Sequence, residues 1–189
     1  MTFRITGDPA ADQVLNDSDF ALLAGMMLDQ QYPMEHAFRG PHKVAQRMGS
    51  FDSAAIAAAD PDEFTALCSE TPAIHRFPCS MSSRLQDLAR MIEAEYDGDT
   101  ARLWTEAVDA KDLLKRVQAL PGFGKQKAQI FVALLAKQHG VRPDGWEKVV
   151  GDYALEGHRS VADVVDPESL QKVRDHKKQM KAAARAARP

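Results

Sequence analysis

Two stretches of helical periodicity are separated by only the five residues Leu120-Pro121-Gly122-Phe123-Gly124. Upstream, Leu113, Leu114 and Val117 recur at helical spacing behind a capping Asp109. Downstream, Phe131, Leu134 and Leu135 mark the buried face of a helix expected over residues 125–138. Pro121 ends the first helix, and Gly122 and Gly124 free the backbone for positive φ and close approach. A connection this short folds the pair into a hairpin at residues 110–138, with unpaired amide N–H groups of the second helix aimed outward at its positive end. That is an anion site. Nucleic-acid phosphate suits it, because backbone donors carry no sequence preference and Lys125 and Lys127 lie beside the turn. A nucleotide-phosphate loop does not fit. The pattern G-x-x-x-x-G-K-[ST] requires Gly where Ala119 stands and Ser or Thr where Gln126 follows Lys125.

The same period runs through the rest of the chain. Asp17 or Ser18 caps a helix through Phe20, Leu22, Leu23, Met26 and Met27 that stops before Tyr32-Pro33. Further helices are expected over 34–48, 53–59, 60–69 and 80–94, the first ending at Gly49 and the last at the turn Asp97-Gly98-Asp99. Asp60, Pro61 and Glu63 form a capping-box pattern. No strand-length alternation of apolar and polar residues and no internal repeat is evident, so the fold is expected to be all-α, with about nine or ten helices. Residues 1–169 form the helical domain, and 170–189 a basic helix or tail with little apolar face and a solvated or frayed distal half.

At 189 residues the chain suits one domain or two small lobes sharing a core. No apolar run approaches the roughly 20 residues of a membrane span. The first residues lack a basic then apolar leader, so a cytoplasmic protein is expected, associated with the nucleoid if it binds DNA. The net charge of −3 carries no global sign of nucleic-acid binding. Residues 172–189, however, hold seven of the 24 Lys and Arg against one of the 27 acids. The tail is therefore +6 and the remainder −9. That tail either lies on phosphates or neutralises the acidic body. Cys68 and Cys79 are too few for a four-cysteine iron–sulfur cluster or structural zinc, and the six His show no metal spacing.

The hairpin resembles that of the helix-hairpin-helix (HhH-GPD) DNA repair glycosylases, whose pattern L-P-G-hydrophobic-G-x-x-T/V-A is matched at Leu120, Pro121, Gly122, Phe123, Gly124 and Ala128. Lys127 replaces the Thr or Val. Upstream, Leu22-Leu23-Ala24-Gly25-Met26-Met27-Leu28-Asp29-Gln30-Gln31 is similar to the early helix whose terminal glutamine enters the DNA stack. The resemblance covers roughly residues 17–150. It implies two lobes with the hairpin at the cleft between them, and double-stranded DNA as partner. Phosphate would be held by Gly122, Phe123, Gly124, Lys125 and Lys127, and the stack entered by Gln31 with Gln30. It also implies a divergent member without the cysteine-ligated cluster, and a monovalent cation on hairpin carbonyls is a further implication.

In the bifunctional relatives a Lys two residues after the second hairpin Gly attacks the sugar C1′. Here that position is Gln126, and Lys125 and Lys127 point about 100° to either side of it. A monofunctional N-glycosylase without lyase activity is therefore expected. Counting to the carboxylate that stabilises the sugar cation reaches Asp144, whose D-x-x-E pattern with Glu147 is equally a plain capping box. Tyr32 and Trp146, beside the motif positions, are the expected walls for an extruded base. Asp29, Glu35 and Asp152 are the other carboxylates near the expected cleft; Asp29 and Glu35 would serve only if the local path differs, and read as solvated surface charges. Two other readings stay open: a non-catalytic DNA-binding protein that keeps the hairpin, and a protein-interaction helical domain. Oligomeric state is left open.

Overall fold

Short polar side chains set several of the helix starts. The computed structural model describes residues 2–186. In chain order the α-helices are α1 (Pro9–Asp17), α2 (Asp19–Leu28), α3 (Met34–Phe38), α4 (Gly40–Met48), α5 (Ser53–Ala58), α6 (Pro61–Ser69), α7 (Pro78–Tyr96), α8 (Arg102–Thr105), α9 (Ala110–Gln118), α10 (Lys125–Leu134), α11 (Trp146–Val150) and α12 (Pro167–Ala186). The side chains of Asp8, Ser18, Asp52, Asp60 and Asp109 accept hydrogen bonds from first-turn amides of α1, α2, α5, α6 and α9. The chain is 69% helix with no strand among the described residues, so the all-α expectation holds.

Several elements differ from the sequence reading, among them the short α8, which has no expected counterpart. The helix expected over 34–48 is split into α3 and α4, because Pro41 lacks an amide proton and Gly40 is pressed against α2. A Cβ on Gly40 would lie 2.4 Å from Leu28 Cδ1. Helix α1 was not expected, although Asp8 followed by Pro9 is a start signal. The helix after the hairpin widens into a π turn at Leu135–His139 and stops at Gly140, φ 79°. The basic tail is one continuous helix, α12; its last residues, 187–189, lie outside the described residues.

Helix α2 organises the molecule. Every residue from Phe20 to Leu28 is buried, as expected of a helix apolar on all sides. It packs on α1, α3, α4, α7 and α10 within one continuous hydrophobic core. Gly25 permits this crowding: a Cβ there would sit 2.5 Å from Phe38 Cδ1. The buried helix ends at Leu28 and delivers Asp29 and Gln31 to a cleft beside the hairpin.

Candidate nucleic-acid interface and cleft

The hairpin turn is anchored from beneath. Leu120 and Phe123 are buried, Phe123 N donates to Leu120 O at 3.1 Å, and the Phe123 ring meets Phe131 edge-on at 5.9 Å. Gly122 has φ 83°, and a Cβ on it would lie 2.8 Å from Arg84 Cδ and 3.1 Å from Met27 Cγ. Gly124 differs from expectation. It is extended, φ −82° and ψ 174°, as the N-cap of α10, so it needs no left-handed freedom. No side chain caps this helix, and nothing lies within 4 Å of the Cβ position of Gly124. Its contribution is open space in front of unpaired amides.

The two hairpin lysines separate. Lys125 is exposed at the turn. Lys127, two residues further around the helix, turns inward and donates from Nζ to Met27 O at 2.8 Å. Burial pushes its ammonium down to about 8, with Asp29 opposing and Arg84 and Lys177 adding to the fall. The expectation that both flank the turn is therefore corrected: the helical period that aims Lys125 at solvent aims Lys127 at the end of α2.

A cleft of about 1260 Å³ opens beside this first turn. One wall carries Gln126, Lys127 and Ile130 of α10. A second carries Asp29, Gln31, Tyr32 and Glu35, and the 3₁₀ turn Gly151–Ala154 supplies Asp152 and Tyr153. The fourth wall is α12, through Arg174, Lys177, Lys178 and Lys181. Gln126 Nε2 donates to Tyr153 Oη at 2.8 Å, and Gln129 Nε2 donates to Val149 O at 2.8 Å. Together these fasten α11 and the turn after it onto α10.

The glutamine pair divides as well. Gln31 adopts φ 52°, a left-handed conformation uncommon for a side chain of its size, and lines the cleft. Gln30 faces Arg84, whose Nη1 donates to its Oε1 at 3.3 Å. His75 Nε2 donates to Gln30 O at 3.0 Å while its Nδ1 accepts from Phe77 N at 3.0 Å, which assigns the tautomer. Burial lowers the His75 pKa and favours that neutral ring. Tyr32 packs on it at 4.6 Å between centroids.

Asp144 and Trp146 do not line this cleft. Asp144 is exposed in the turn before α11, and the Asp144–Glu147 capping box does not form. Gly145, at φ 78°, is the N-cap instead and no side chain caps the helix. Trp146 N donates to Pro143 O, and the half-buried indole packs against the core. The count that reaches Asp144 expects the carboxylate at the N-cap of a helix, a place that Gly145 takes in the structure. The five-residue α11 intervenes, and the carboxylate beyond it on the cleft wall is Asp152.

Asp29 and Glu35 are also relocated. Glu35 is 5% exposed, and the Asp29 side chain is 12% exposed. Arg174 pairs with Glu35 Oε1, and Lys177 Nζ lies 3.7 Å from Asp29 Oδ2, so α12 lies along the cleft rather than trailing in solvent. Sequence reasoning lacked a signal for this, because the distal half of α12 has no apolar stripe. Of the two cysteines, Cys68 is buried, which pushes its thiol pKa up to about 12, and Cys79 is exposed on α7.

The sequence pattern of the HhH-GPD superfamily of base excision DNA repair proteins matches residues 24–188. The chain belongs to this superfamily. The HhH-GPD match takes in the hairpin, every wall of the cleft and α12, and so extends past the 17–150 stretch in which motifs were legible. No curated protein and no solved structure matches the chain. Among the described residues no helix is long and apolar enough to cross a membrane.

Proposed function

We propose that this HhH-GPD protein binds double-stranded DNA through the hairpin and hydrolyses the N-glycosidic bond of an extruded base without a lyase step. One observation carries the reading: the uncapped N-terminus of α10 opens onto a cleft that also holds Gln31, Tyr32 and a carboxylate, Asp152. The Gly124 to Lys127 amides with Lys125 take a backbone phosphate, Gln31 enters the stack, and Tyr32 covers the extruded base. As the bond from C1′ to the base nitrogen breaks, the Asp152 carboxylate stabilises the positive sugar. Water then adds to C1′ and the departing base takes up a proton. Asp152 replaces Asp144 in this role because Asp144 is exposed outside the cleft. Gln126 offers no amine for a Schiff base, and its amide is already engaged by Tyr153.

The test is single-turnover base release from duplexes carrying uracil, alkylated, oxidised or mismatched bases. Release by the wild type is expected to be lost in Asp152→Asn and kept in Asp144→Asn, with no adduct trapped by borohydride. Tight duplex binding without release from any of them would favour the non-catalytic DNA-binding reading. Absence of duplex binding would leave the protein-interaction reading.

A further inference from the structure

The deepest polar group of the cleft is Glu35, and its bonding is incomplete. The residue lines the cleft at only 5% exposure, Arg174 satisfies Oε1, and Oε2 is buried with no hydrogen-bond partner. A structural ion pair normally leaves no buried carboxylate oxygen unsatisfied, so the orphan oxygen marks a place for a donor that arrives from outside. Its surroundings suit a flat aromatic ligand. Tyr32 lies three residues away on the same wall, while Met26, Ile130 and Met180 supply apolar surface.

Resting on the reading that the cleft receives an extruded base, we propose that Glu35 is the base-reading carboxylate and that it selects a guanine-type Watson–Crick edge. The carboxylate accepts only, and the Arg174 guanidinium beside it donates only. The complementary edge has two adjacent N–H donors followed by a carbonyl, which is the order N2–H, N1–H, O6 of guanine. Uracil and thymine place carbonyls on both sides of a single N–H. Adenine and cytosine put a ring-nitrogen acceptor beside their amino group. Each of these sets a lone pair against the carboxylate, a mismatch that is costly in a pocket sheltered from water. Arg174 takes one lone pair of Oε1, so the second lone pair of that oxygen and the unpartnered Oε2 remain for the two N–H donors.

The test compares three duplexes by equilibrium fluorescence anisotropy, using the full chain. One carries guanine opposite thymine, the second hypoxanthine opposite thymine, and the third a tetrahydrofuran abasic analogue. The 2-amino group is unused in the wobble pair, so its removal changes what the protein reads while changing the pairing little. The wild type is expected to bind the guanine duplex about tenfold or more tighter than the hypoxanthine duplex, the effect of one charge-assisted hydrogen bond. Glu35→Gln should bring the two within about twofold, with abasic-duplex affinity unchanged. Arg174→Ala should retain the guanine preference, since the amino group is read by Glu35. Equal wild-type affinities for guanine and hypoxanthine, with the abasic duplex still bound, overturn this inference alone, as does a preference that survives in Glu35→Gln. Failure to bind even the abasic duplex overturns the DNA-binding reading and this inference with it.

Discussion

The two hairpin glycines provide a paired experiment, because identical substitutions at positions two residues apart should have different effects. Gly122→Ala forces a Cβ onto a residue at φ 83°, at a cost of about 1–2 kcal/mol. The Cβ also meets Arg84 Cδ at 2.8 Å and Met27 Cγ at 3.1 Å. The methionine is fully buried, so its displacement adds about 1 kcal/mol. The reduced entropy of the unfolded chain returns about 0.4–1 kcal/mol. The net loss is about 2 kcal/mol, which for a domain of this size is a fall in Tm of about 4–8 °C. Gly124→Ala meets neither obstacle: φ is −82° and nothing lies within 4 Å of the new methyl. Its Tm should stay within about 2 °C of wild type. The methyl instead stands before the open amides of α10, and duplex affinity should fall about tenfold through the loss of a charge-assisted phosphate contact. Thermal melts by circular dichroism and anisotropy titrations of a short duplex measure both quantities. Equal melting temperatures for the two variants would refute the packing argument, and undiminished binding by Gly124→Ala would refute the anion site.

Three further outcomes follow from the geometry. Folded Lys127 titrates near 8 and an unfolded lysine near 10.5, so the unfolded chain holds more protons between those values. The Lys127 contribution to stability is therefore lowest below pH 8 and rises up to pH 10.5, by at most about 3 kcal/mol. Urea unfolding across that range should show the rise in wild type and its loss in Lys127→Met. The salt slope of duplex binding should shrink by about one phosphate contact in Lys125→Ala and much less in Lys127→Ala, whose ammonium is engaged by Met27 O. Equal slopes for the two variants would show that both lysines meet phosphate. Gly25→Ala, with its Cβ 2.5 Å from the Phe38 ring, should cost about 2–3 kcal/mol in chemical denaturation. An unchanged midpoint would mean that α2 and α3 are not tightly apposed.

The helices and the hairpin were readable because their signals are local. Asp60 before Pro61, Asp109 before Ala110, and Pro121 with Gly122 act through bonds to residues two to four positions away, so adjacency in sequence is adjacency in space. The superfamily was legible for the same reason, since the hairpin is continuous in the chain. The cleft is not continuous. Asp29, Gln126, Asp152 and Arg174 come from four separate segments. Counting along the chain chose Asp144 as a helix cap, but no count registers the π turn after Leu134 or that Gly145 takes the cap of α11. Charge pattern alone read Glu35 as a solvated acid, and α12 as a helix with a solvated or frayed distal half. In the fold, α2 buries its length, ends beside α10 and brings the acids under α12, where the arginine and lysine of that helix find them. Local hydrogen-bond chemistry thus set where the chain turns. Long-range burial set which charges face one another, because that depends on how helices distant in sequence pack around α2.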